Sequence, residues 1–160
     1  MGVYGMRAIR KLAAILVLAG AVALPVQASA PASASTSSHR FGAYEYAVHH
    51  RGCWYSWGGT GPCSYGYDCS GLVVAAYASQ GISLPRTTYD MLGSSKLVRV
   101  SHSQAREGDL VFYGSGHVEL YRWSHETIGA LTSGTVVNYH RWYSSSWWQP
   151  SGYYHVRGAG

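Results

Sequence analysis

The chain has 160 residues, of which 47% are hydrophobic and only 12% charged. That is enough apolar material for one packed domain, and too little charge for a disordered charged tail or a long coiled coil. The formal net charge is +5, but Arg7, Arg10 and Lys11 supply three of those charges ahead of a 13-residue apolar run, Leu12–Leu24.

Basic residues, then an apolar run too short to span a bilayer comfortably, then small residues read as a secretory signal peptide over 1–28. Cleavage after Ala28 fits, with Val26 and Ala28 as the small residues. Ala28-Ser29-Ala30 is a second match, with Pro31 after the cut. A short membrane anchor is the alternative reading. Without residues 1–28 the charge falls to +2. That is weak ground for nucleic-acid binding, and it suits an anionic cell wall equally well.

Residues 29–39 are low in complexity and read as a disordered linker ahead of a domain over 40–160. A short helix follows from Phe41 to about His50, with Phe41, Tyr44 and Val48 on one face. A loop rich in glycine and aromatics runs from Gly52 to Tyr67. The clearest helix starts at Cys69 and runs to about Gln80. Asp68 is its N-cap, Leu72, Val73, Ala76 and Tyr77 recur at helical spacing, and Gly81 is its stop. A weaker helix covers Thr87–Leu92. Strands are expected at Leu97–Val100, Asp109–Tyr113, His117–Tyr121, Thr127–Leu131, Thr135–Tyr139 and Tyr153–Arg157, punctuated by glycines. Helices first and strands later make an α+β domain with an antiparallel sheet.

Export implies an oxidising compartment, so two of the three cysteines can pair. Cys53 and Cys63 flank a flexible Gly-Gly-Thr-Gly-Pro stretch. The expected bridge joins them and leaves Cys69 free, although spacing alone leaves the other pairings open. Cys69 stands at the first turn of its helix, where the positive end of the helix dipole makes sulfur a better nucleophile. A buried structural cysteine is the bland alternative.

A nucleophilic cysteine needs a base, usually histidine. Of eight histidines, His117 stands out. It opens an alternating strand directly after Gly114-Ser115-Gly116 and so can face a cleft. The histidines and cysteines show no zinc-type spacing. Gly58-Gly59-Thr60-Gly61 lacks the ending of a phosphate loop. No metal or cofactor is implied.

Five stretches in this order resemble the NlpC/P60 family of cell-wall cysteine peptidases, within the papain-like superfamily. They are Tyr55-Ser56-Trp57-Gly58-Gly59, Asp68-Cys69-Ser70-Gly71-Leu72-Val73, Gly81-Ile82-Ser83-Leu84-Pro85-Arg86, Gly108-Asp109-Leu110-Val111-Phe112-Tyr113 and Gly116-His117-Val118. The resemblance implies an α+β fold with the cysteine on a helix packed against a small antiparallel sheet. It implies Cys69 as nucleophile and His117 as base. Tyr55, Asp68 and Ser70 would contact substrate, while Arg86 and Asp109 would be structural. The implied substrate is a peptidoglycan stem peptide, cut next to D-glutamate and a diamino acid by a secreted, monomeric enzyme. An amidase cutting between glycan and peptide, and a non-catalytic wall-binding module, are the rival readings.

The family's third polar residue, about a dozen positions after the base, orients the imidazole. Here that count lands on Gly129, which has no side chain. Thr132, Asn138, His140 and His125 are the replacements within reach, and His140 is the expected one. The aromatic stretch Tyr139–Tyr154 can stack on sugars, but it reads better as a cover for the sheet.

Overall fold

The structure, a computed structural model, describes residues 1–2, 38–142 and 148–160. The chain divides into two units, Met1–Ala34 and Ser35–Gly160. The expected signal peptide from residue 3 onward, the linker up to residue 37, and Tyr143 and Trp147 lie outside the described residues. No helix among the described residues is long and apolar enough to cross a membrane.

The second unit is α+β, with three helices followed by six strands among the described residues. Helix α1 is His39–His49, capped by the Ser38 hydroxyl, which accepts from the Phe41 amide. His39 therefore opens a helix instead of closing a linker. Helix α2 is Cys69–Ala78, with the Asp68 side chain accepting from Gly71 N as expected of an N-cap. Its residues Leu72, Val73, Ala76 and Tyr77 are wholly buried, and each large apolar one contributes about 1.5–3 kcal/mol. Helix α3 is the short Thr88–Leu92, capped by Thr87.

The strands are β1 (Leu97–Val100), β2 (Leu110–Tyr113), β3 (His117–Trp123), β4 (Glu126–Gly129), β5 (Asn138–Arg141) and β6 (Gly152–Val156). All neighbours pair antiparallel, in the order β1-β6-β2-β3-β4-β5. A 3₁₀ turn at His102–Gln104 lies outside the elements that the sequence predicts. Strand β5 departs most from expectation. Thr135 does not begin it, because its hydroxyl donates to the Thr132 carbonyl at 2.6 Å and closes a turn. Thr135 then offers its carbonyl to the Tyr55 amide at 2.9 Å.

The sheet separates two apolar layers. Leu110, Phe112, Val118, Leu120 and Ile128 pack in one cluster with α1 and α2. Val111, Tyr113, Tyr121 and Trp142 form the second cluster, with Trp148 and Tyr153 packed against it. Trp142, Trp148 and Tyr153 of the aromatic stretch thus cover one face of the sheet, whereas Tyr139 and Tyr154 pack against the first cluster. Cys53 and Cys63 form the expected disulfide, with Cα atoms 5.0 Å apart, and Cys69 is free.

Candidate active site

The first turn of α2 is built around Asp68. Its Oδ1 accepts from the Gly71 amide at 2.6 Å and the Ser70 hydroxyl at 3.3 Å. Its Oδ2 accepts from the Gly58 amide at 2.9 Å. Arg86 adds an ion pair to the same carboxylate and also donates to Ser70 Oγ at 2.8 Å. Asp68 thus ties the loop before α2 to the helix that carries Cys69. Gly71 allows the approach, since a Cβ there would stand 1.9 Å from the Gly59 carbonyl oxygen. The sulfur-bearing residue is 9% exposed and opens onto a cleft of about 850 Å³.

His117 opens β3 directly after the turn at Gly114–Gly116. The Thr88 hydroxyl pins that turn by donating to the Ser115 carbonyl at 2.6 Å. His117 lines the same cleft as Cys69, together with Tyr55, Trp57, His140 and Trp148. The Trp148 ring lies 5.2 Å from the imidazole and stacks on Tyr113 at 4.5 Å. Burial disfavours the charged imidazole, but hydrogen bonds to Cys69 and Glu119, with the charges of both, outweigh it. They push His117 up to about 9. Burial, then the nearness of Cys69 and Asp68, raises the Tyr55 phenol, so that it remains a hydrogen-bond donor.

The third residue is where structure and sequence part. His140 is in the cleft, but its imidazole binds Glu119, where Nδ1 donates to Oε1 at 2.7 Å. Glu119 also accepts from His117 Nε2 at 3.0 Å. His140 therefore reaches the base through a carboxylate. The other replacements are engaged elsewhere. Asn138 Oδ1 accepts from Arg51, His125 pairs with Ser124, and Thr132 is held in the turn with Thr135. Glu119 is the residue that counting along the chain misses. The signal for it is a lone acid at an alternate position of a strand otherwise reading His-Val-Leu-Tyr. Asp109 is structural, as expected: it accepts from Arg106 N at 2.6 Å and pairs with His155 at 2.7 Å.

The NlpC/P60 family model matches residues 52–156. Probable endopeptidase p60 of Listeria welshimeri is 45% identical over 105 residues, which are 63% of this chain and 19% of that protein. Peptidoglycan endopeptidase RipB of Mycobacterium tuberculosis is 36% identical over 134 residues, covering 69% of this chain and 55% of that protein. The chain thus spans about a fifth of the length of the first relative and about half of the second. Among solved structures, RipD of Mycobacterium tuberculosis superposes with a TM-score of 0.59 at 30% identity, covering 76% of this chain and 98% of that one. RipD is described as a non-catalytic NlpC/p60 domain protein adapted to peptidoglycan binding. With the cysteine on a helix against an antiparallel sheet and the family match over most of the second unit, the chain belongs to the NlpC/P60 family.

Proposed function

We propose that the chain is a secreted cysteine hydrolase of the bacterial cell wall. It cuts a peptide bond in the peptidoglycan stem, of the type between D-glutamate and a diamino acid. Residues 1–28 serve as its export signal, residues 29–39 as a linker apart from the helix-forming His39, and the domain from residue 40 does the chemistry. The observation that carries this reading is Cys69 at a helix start, lining one cleft with His117, whose imidazole is raised by its interactions with Cys69 and Glu119. The names of the p60 and RipB relatives support the substrate class.

In this mechanism His117 takes the proton of Cys69, and the sulfur attacks the carbonyl carbon. The Cys69 backbone N–H and the Tyr55 hydroxyl face the oxyanion that develops. The C–N bond breaks as His117 passes its proton to the leaving amine, and a thioester remains. Water, deprotonated by His117, then hydrolyses the thioester and frees Cys69. Asp68 and Ser70 line a second cleft of about 360 Å³ that also borders Cys69, with Arg86 and Trp57. The stem peptide lies along both clefts.

The test is mass spectrometry of purified peptidoglycan digested by the protein and by Cys69→Ala. The expected result is stem-peptide fragments that vanish in the variant, with masses naming the bond. A released intact stem would make the enzyme an amidase. Wall binding with no fragments would favour the non-catalytic reading, to which the likeness to RipD lends support.

A further inference from the structure

We infer that Glu119 is the positioning carboxylate of the reaction centre, supplied from β3 into the space that the missing side chain of Gly129 leaves on β4. This rests on the hydrolase reading above.

His117 and Glu119 are two residues apart on one strand, so their side chains share a face. The Nε2–H of His117 donates to Glu119 Oε1 at 3.0 Å. That bond fixes the ring plane and leaves the other ring nitrogen for Cys69. Glu119 is wholly buried. A buried carboxylate is costly unless each oxygen is paired. Here Oε1 takes bonds from His117 and His140, and Oε2 takes the Thr127 hydroxyl. The donors come from β3, β4 and β5, so three strands build one receptor for one carboxylate.

Gly129 makes the space. Leu120 stands opposite Ile128, so one step further along each strand Glu119 stands opposite Gly129. A Cβ at Gly129 would lie 2.6 Å from Glu119 Cγ and 2.8 Å from both Cδ and Oε1. A side chain grown from position 129 would enter the volume the carboxyl group occupies. The two positions therefore offer alternative routes for an acid to the same place beside His117.

The charged and titratable groups around Glu119 are His117 on its own strand, Tyr113 on β2 and His140 on β5, with Cys69 beyond His117. Thr127 on β4 is neutral. Tyr113 is raised by burial and then by Glu119 itself, so it stays uncharged. Glu119 is thus the anion that holds the imidazolium from the sheet side.

The test uses the full chain and two readouts. The first is the His117 imidazole titration, followed by NMR in the wild type and in Glu119→Gln. Glu119→Gln is expected to lower the His117 midpoint by a pH unit or more. It should also lower kcat at least tenfold with KM within twofold. A folded Glu119→Gln with an unmoved His117 midpoint overturns the inference. The second readout is rescue. Glu119→Gly combined with Gly129→Glu is expected to cleave at least ten times faster than Glu119→Gly alone. A folded double variant no faster than that single variant also overturns it. If the wild type cleaves no more than Cys69→Ala, the hydrolase reading fails, and the imidazole titration still decides the positioning by itself.

Discussion

Arg86 meets Asp68 with both prongs of its guanidinium, Nη1 to Oδ1 at 3.0 Å and Nη2 to Oδ2 at 2.6 Å. The pair sits directly before the nucleophile, so it sets where α2 begins. Asp68→Ala removes the helix cap, worth about 1 kcal/mol, and charge-assisted bonds worth about 1.5–3 kcal/mol. The Arg86 side chain is 37% exposed, which discounts the ion pair. The expected net loss is about 2–3 kcal/mol in urea unfolding, seen as a lower midpoint at constant slope. Arg86→Lys keeps the charge but not the fork, and is expected to fall between wild type and Asp68→Ala.

The pH dependence has two limbs with opposite signs. His117 is raised from 6.5 to about 9 in the folded protein. Its contribution to stability is full below about pH 6.5 and is lost as the pH rises through about 9. Glu119 is shifted the other way: burial opposes its charge, but hydrogen bonds from His117 and His140 overcome that and lower it. Its contribution is full above its ordinary value of 4.5 and is lost as the pH falls below it. Unfolding midpoints taken from acid to alkaline pH are expected to rise, plateau and fall. Hydrolysis is expected to decline near pH 9, where His117 no longer holds a proton for the leaving amine. An alkaline limb near pH 6.5 would contradict this.

Gly71→Ala is expected to damage fold and activity together. The new methyl group would meet a backbone oxygen of Gly59 at 1.9 Å, and backbone yields less readily than a side chain. Overpacking of this kind costs about 1–3 kcal/mol. Because the displaced loop carries Tyr55 and Trp57, turnover should fall even at temperatures where the variant remains folded. Thermal unfolding and peptidoglycan digestion on one sample check both.

The Cys53–Cys63 bridge closes a sequence separation of 10 residues around that same loop. Chain entropy gives such a closure about 3 kcal/mol. Replacing both cysteines by serine is expected to lower stability by about that amount in non-reducing buffer. Reducing agent should then do nothing further to the variant.

Trp57 is 87% exposed and borders both clefts beside Cys69. A side chain so open to solvent contributes little to folding. Trp57→Ala is expected to leave stability within about 0.5 kcal/mol, while raising KM for stem peptides about tenfold, equivalent to about 1.4 kcal/mol of binding. Steady-state kinetics on a soluble stem peptide separate the two effects.

Much of this is legible in the amino-acid order, because the informative parts are local. Asp68 as cap and Cys69 at the first helical turn follow from neighbouring residues alone. So does His117 after its glycine turn. Strand β5 is less legible: Thr135 looks like a strand residue, yet its hydroxyl prefers the Thr132 carbonyl, a bond that competes with strand pairing. The orienting group lies further out of reach. Alternation in His117-Val118-Glu119 already puts acid and base on one face. That Gly129 stands opposite and leaves room for the carboxyl depends on strand register, which no count along one chain supplies.

The packing of α2 on β3 has a consequence for how the reaction centre fails. His117, Glu119, Thr127 and His140 all belong to three consecutive strands, a meander that needs only near-neighbour contacts to assemble. Cys69 arrives from a separate stretch of chain, and Leu72 and Val73 share one apolar cluster with Val118 and Leu120. The reacting pair is thus a joint between two separate stretches of chain, held at its working gap by the hydrocarbon of one shared core. Hollowing that layer, as in Leu72→Ala, would widen the gap while each half kept its own hydrogen bonds. Such an enzyme would lose its chemistry through misalignment, with every polar participant still in place.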